Sequence, residues 1–159
     1  MVKMKQRDER LEIAELKVEF ESCPVEASLG ILGHKWALLV LRNIELYGKH
    51  RFNEMLKVTP GLTKRVLSMR LRELEREGFI EIEESGRNYA KWNLTQKGRD
   101  VLPILLALVQ FGSKWHANEV FADKEPRTLT EIFDESYIRK IVRNSKVEPI
   151  IPVHTRTKA

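Results

Sequence analysis

GLTKRVLSMRLRELEREG, residues 61–78, packs one lysine, four arginines and three glutamates into eighteen positions. Its periodicity is helical, and two readings compete: a salt-bridged solvated helix, or a helix whose arginines meet a partner. Placement separates them. At about 100° per residue, with Leu67 as the inward direction, Leu71 and Leu74 fall within about 40° of it. Arg65, Ser68, Met69, Arg72 and Arg76 then share the opposite face, while Glu73, Glu75 and Glu77 lie on the flanks. A solvated helix mixes both signs on its outer face; this one concentrates arginine there. Thr63 is the expected N-cap and Gly78 the terminator.

The flanking segments give this helix a setting. Upstream, Thr59-Pro60-Gly61 is a turn, preceded by a compact helix over 53–58 and a short strand at 50–52. Before these, PVEASLGIL (24–32) predicts a helix opened by proline and closed at Gly33. KWALLVLRNIELY (35–47) predicts a second helix, with apolar positions at 36, 39, 40 and 44 and a stop at Gly48. Downstream, Ile80 and Ile82, then Ala90, Trp92 and Leu94, alternate with polar residues around Ser85-Gly86-Arg87-Asn88, which predicts a β-hairpin.

Thr95 caps a further short helix, and Pro103 opens a segment, 103–121, that is apolar around nearly its whole circumference. Such a helix has to be covered on all sides, and in so small a chain one side is expected to meet a second copy. An amphipathic helix is predicted over 129–142, and 145–159 reads as loosely attached. Residues 1–22 are charged and indeterminate between helix and strand.

This order is that of a winged helix-turn-helix: a mainly α fold with a small β-hairpin and a long C-terminal dimerisation helix. The expected parts are an N-terminal arm or helix (1–22), the winged helix-turn-helix (23–102), the dimerisation helix (103–121) and a C-terminal extension (122–159). Turn and hairpin make 63–77 the reading helix and 79–94 the wing.

Composition agrees. The chain has 159 residues, a net charge of +5 and a pI near 9.4. The excess sits in two places: 49–91 has ten basic against seven acidic residues, and 122–159 has eight against six. That permits a polyanionic partner. No apolar run reaches the ~20 residues of a membrane span, and the first residues lack the apolar core of a secretory signal. A cytoplasmic location without membrane attachment is expected. One cysteine excludes an intramolecular disulfide framework.

CPVEASLGILGHKW (23–36), RFNEM (51–55), PGLTKRVLSMRLREL (60–74) and LTQKGRDVLP (94–103) together resemble the HxlR-type family of prokaryotic transcriptional regulators. The likeness covers about residues 23–112 in one continuous order. His34 stands where the family more often has a small residue, the wing is shorter, and the extension after 122 falls outside the pattern. The resemblance implies a homodimer on palindromic double-stranded DNA. It also implies that Cys23 matches a cysteine that senses oxidants or electrophiles in some members. A small, buried, inert Cys23 is the competing reading.

Side-chain chemistry assigns the roles. Arg65 and Arg72 suit bidentate recognition of guanine. Thr63, Lys64 and Ser68 suit bases or phosphate, Met69 shares their face, and Arg76 suits phosphate. Arg87 and Asn88 at the hairpin tip fit a wing on the backbone or in the minor groove, or an ordinary turn. Lys49 and Arg51 fit a backbone clamp or solvated positions equally. Trp36 and Trp92 fit core positions and Trp115 the interface. The scattered histidines give no metal site, no cofactor motif is present, and no nucleophile–base constellation points to an enzyme. Two other readings stand beside a sequence-specific regulator: a non-specific architectural DNA binder, and a winged-helix protein-interaction module.

Overall fold

The computed structural model describes residues 18–84 and 89–147. The arm reading for 1–17, the tip residues Arg87 and Asn88, and the tail beyond 147 lie outside the described residues. Within them run α1 (Pro24–Leu32), α2 (Ala37–Glu45), α3 (Phe52–Lys57), α4 (Lys64–Arg76), β1 (Ile80–Glu84), β2 (Ala90–Leu94), α5 (Gln96–Arg99), α6 (Leu102–Trp115), α7 (Ala117–Val120), α8 (Leu129–Ile132) and α9 (Glu135–Asn144). The architecture is a winged helix-turn-helix followed by further helices.

The core forms where apolar stripes of α2, α4 and α6 converge. Val40, Leu41, Leu67 and Leu74 are wholly inaccessible, and Leu102, Leu105 and Leu106 close the same cluster. The inward stripe of α2 is Ala37, Val40, Leu41 and Ile44, one position off that expected at 36 and 39. Trp36 is the reason. It precedes the helix in a left-handed conformation (φ 80°), so the helix begins one residue later.

The short strand expected at 50–52 is absent. Its place is taken by one backbone bond, Trp92 N–H to His50 O at 2.9 Å, with His50 Nδ1 at 3.0 Å from Trp92 O. Three residues between Gly48 and the start of α3 are too few for a ladder, and the imidazole makes the second link instead. β1 and β2 pair antiparallel, Ile80 opposite Leu94 and Ile82 opposite Trp92. Gly78 (φ 77°) turns the chain out of α4 into β1.

The continuous helix expected over 103–121 is broken. α6 ends at Trp115, His116 leaves helical geometry (φ −118°), and α7 follows as a separate turn. Nor is α6 covered on all sides within one chain: Ile104, Leu108, Phe111 and Trp115, at one-turn spacing, are exposed. The helix expected over 129–142 is two. Glu131 Oε2 accepts from the Thr128 N–H at 2.7 Å and from its hydroxyl at 2.8 Å at the start of α8, and α9 starts afresh after Asp134. α9 buries Ile141 in the common core. Lys146 N–H donates to Asp100 Oδ1 at 2.7 Å, so residues 145 and 146, expected to be loose, sit against α5. Asp100 is correspondingly held below the ordinary carboxyl range, chiefly by that backbone N–H and then by Gln96.

Candidate nucleic-acid interface

α4 is built to present one face. Thr63 caps it, its Oγ1 accepting from Val66 N–H at 3.3 Å. Leu67, Leu71 and Leu74 are buried as the periodicity requires. Lys64, Arg65, Met69, Arg72 and Arg76 are exposed and Ser68 is half-buried. Arg72 Nη2 donates to Ser68 Oγ at 3.0 Å, which lays its guanidinium along the helix. Arg76 remains 70% exposed although Glu77 lies 3.4 Å from its Nε, an acid closer to this face than periodicity indicates. Thirteen residues span about 20 Å, and about three turns separate Arg65 from Arg76.

A shallow groove runs beside this face, lined by His34, Arg65, Met69, Arg72, Glu73 and Arg76 among others. Its far wall is the α1–α2 turn. The fourth arginine, Arg70, does not face outward. It pairs with Glu73 and sits 2.9 Å from His34 Nδ1, its side chain 15% exposed. Helical geometry places Arg70 about 60° from Leu67, a position where arginine needs polar partners. His34 and Glu73 supply them.

The turn ahead of α4 is fixed by groups that the sequence reading missed. Asn43, fully buried in α2, donates from Nδ2 to Thr59 Oγ1 at 2.8 Å. Arg42 donates to Asn43 Oδ1 at 2.8 Å and to Thr59 Oγ1 at 3.4 Å. The available signal was Asn43 itself, a polar residue amid Val40, Leu41 and Ile44, where burial demands a partner. Gly61 adopts φ 85°, and a Cβ there would lie 3.4 Å from the Trp36 ring.

The hairpin stands beside α4. Asn93 Nδ2 donates to Glu83 Oε2 at 2.8 Å and Lys91 lies 3.6 Å from the same oxygen. The amide first, then the ammonium, hold Glu83 below the ordinary carboxyl range. Arg51 stacks its guanidinium over Tyr89, 4.9 Å from the ring centroid, so it braces the hairpin rather than standing free. Cys23 is exposed and occupies the N-cap position of α1. Trp115 is 67% exposed, beside Phe111 on α6, while Val25 and Leu29 of α1 form a second exposed apolar patch near Ile104. Among the described residues no helix is long and apolar enough to cross a membrane.

Comparison with known proteins agrees with this geometry. The model of the HxlR-like helix-turn-helix family matches residues 31–120. YdeP, an uncharacterized HTH-type transcriptional regulator of Bacillus subtilis, is 39% identical over 111 residues, 69% of this chain and 86% of that protein. A possible HxlR family transcriptional factor from Thermoplasma volcanium is 30% identical, with a TM-score of 0.50 over 58% of this chain and 84% of that one. The redox regulator HypR in its reduced form is 34% identical, with a TM-score of 0.51 over 64% of this chain and 99% of its own.

Proposed function

Because the chain belongs to the HxlR-like helix-turn-helix family and is a transcriptional regulator, we propose that it binds palindromic operator DNA as a homodimer, α4 lying in the major groove. The observation that carries this reading is the division of α4: three leucines inside, and Arg65, Arg72 and Arg76 exposed together outside. In this reading Arg65 and Arg72 read base edges, and Thr63, Lys64, Ser68 and Met69 complete the contact surface. Arg76 neutralises phosphate. The hairpin 79–94 rests on the flanking backbone, with Arg87 and Asn88 as its tip contacts.

Dimerisation is supported by the exposed row Ile104, Leu108, Phe111 and Trp115, an apolar stripe that a solitary chain leaves in water. Two-fold symmetry then spaces the half-sites about one helical turn, or a multiple, apart. The helices α8 and α9 of the extension pack against α6, the extension adds dimer contacts or a basic arm for DNA, and the regulator acts in the cytoplasm. Selection of bound sequences from a random duplex pool tests the reading. A palindromic consensus is expected. Retention without sequence preference supports an architectural binder instead, and no salt-sensitive retention supports a protein-interaction module.

A second reading concerns Cys23. Its exposure argues against an inert core thiol and leaves the sulfur at the N-cap of α1 open to a reagent. HypR, a relative described as a redox regulator, points the same way. We propose that oxidation or alkylation of Cys23 alters DNA binding. Treatment of the protein–DNA complex with peroxide or a quinone is expected to change affinity in the parent and not in Cys23→Ser; an equal response in both eliminates the assignment.

A further inference from the structure

We propose that the groove between α2 and the α6–α8 segment binds a small amphipathic carboxylic acid, and that its occupation is relayed to the turn before α4. The groove encloses about 470 Å³, within the ~300–1,000 Å³ of small-ligand pockets. Its walls are apolar, with Leu39 and Leu46 on one side, Leu105 and Val109 on the other, and Phe121 and Phe133 across the end. Among the described residues, Arg42 is the one charged residue that lines it.

Three features of Arg42 define the ligand. No carboxylate of the described residues lies within 4.0 Å of its guanidinium. The guanidinium carbon lies over the Tyr47 ring, 4.5 Å from the centroid, and Tyr47 also lines the groove. Its bonds to Asn43 and Thr59 use Nε and Nη2 only, which leaves the two N–H groups of Nη1 for a carboxylate. A cation with no carboxylate of the described residues beside it, on an otherwise apolar hollow, selects an apolar chain or ring that ends in an acid.

Gly112 supplies an independent observation. Glycine weakens a helix interior, yet it stands within α6 on the groove wall, and a Cβ there would meet nothing within 4 Å. The space it leaves is therefore real and can be filled by substitution without a clash.

The relay runs through bonds already present. Arg42 shares Thr59 Oγ1 with the buried Asn43, and Thr59 O accepts from Leu62 N–H at 3.1 Å, one residue before the α4 cap. A carboxylate that draws Arg42 toward the groove loosens its hold on Thr59. This relay rests on the reading of α4 as the DNA-binding helix; the binding site does not.

Binding to the full chain without DNA is measured by calorimetry, using decanoate and phenylbutyrate as probes and decanol and phenylbutanol as uncharged counterparts. Saturable binding of at least one acid is expected, with its alcohol about tenfold weaker or more, since a charged hydrogen bond is lost. Gly112→Leu is expected to abolish it, with a Tm no lower than that of the parent. Arg42→Gln, which keeps a donor toward Thr59, is expected to weaken it about tenfold. Failure of both acids to bind, equal binding of the alcohols, or unchanged binding by Gly112→Leu overturns the site. So does a Gly112→Leu variant that shifts the monomer–dimer equilibrium while the parent binds no acid, because the groove is then a contact between copies. Titration of DNA with and without the bound acid tests the relay separately. A several-fold change in affinity supports it, and an unchanged affinity overturns it even where the site stands. Loss of DNA binding altogether is a failure of the operator reading and is visible in the ligand-free control.

Discussion

Arg70 reaches back from α4 to within 2.9 Å of His34 Nδ1, on the turn that joins α1 to α2. With Glu73 it forms a three-membered tie across the groove wall, so one arginine of α4 serves the fold while its neighbours face outward. Arg70→Ala is expected to cost about 1–3 kcal/mol, because a partly buried Glu73 loses its charged donor. Arg72→Ala, on the exposed face, should stay within about 0.5 kcal/mol. Urea unfolding of the two variants decides; equal midpoints contradict the inward placement.

On DNA the order is expected to reverse. Arg65→Ala and Arg72→Ala should each weaken a selected operator by about 1–3 kcal/mol and relax preference at one base position. Arg76→Ala should weaken all sequences alike and reduce the salt slope by about one. Anisotropy titrations at several salt concentrations against operator and scrambled duplexes separate these behaviours.

Two glycine substitutions should have opposite signs. A Cβ at Gly98 would lie 2.1 Å from the Phe79 carbonyl oxygen, so Gly98→Ala must push α5 off the base of the hairpin. Overpacking of this kind costs about 1–3 kcal/mol. Gly30 lies in α1 with nothing within 4 Å of the Cβ position, and Gly30→Ala should stabilise by about 0.5–1 kcal/mol through helix propensity. Thermal melts of both variants report the difference.

The exposed row on α6 predicts an oligomer that one charge can open. Phe111→Glu or Trp115→Glu should yield monomers in sedimentation experiments with unchanged helical circular dichroism. A dimer that survives both variants places the interface elsewhere, with the α1 patch of Val25 and Leu29 as the next surface to test.

Asp100 carries the pH prediction. Its folded pKa is lowered by the Lys146 N–H and Gln96, so its contribution is present above the unfolded carboxyl value of about 3.9 and is lost as pH falls through the lower folded value. Protection of the Lys146 amide against hydrogen exchange, relative to its intrinsic rate, should fall in that acid range. In Asp100→Asn it should be lower at neutral pH and lack that acid transition; an Asp100→Asn profile matching the parent removes the carboxylate from this role.

Much of α4 was legible because leucine and arginine separate cleanly on a 3.6-residue period, and because Thr63 and Gly78 mark its ends with their own chemistry. Arg70 was not, since periodicity turns it inward while its charge argues outward; only the approach of His34, thirty-six positions away, resolves the conflict. The Asn43–Thr59 bond is hidden for the same reason: local pattern announces that a buried amide needs a partner, and tertiary folding chooses it. The break at His116 leaves no mark in the apolar pattern, which runs on through Val120.

The family match ends at residue 120, but the hydrophobic interior does not. Ile141 is 2% exposed among residues of that interior, and Tyr137 Oη donates to the carbonyl of Glu45 at the end of α2. A protease that nicks the 122–128 connection, or a graft that transplants only 31–120 onto another scaffold, would leave an apolar socket open to water. The transplantable unit of this regulator is thus longer than the segment by which its kin are recognised, and chimeras joined at residue 120 should be prone to aggregate.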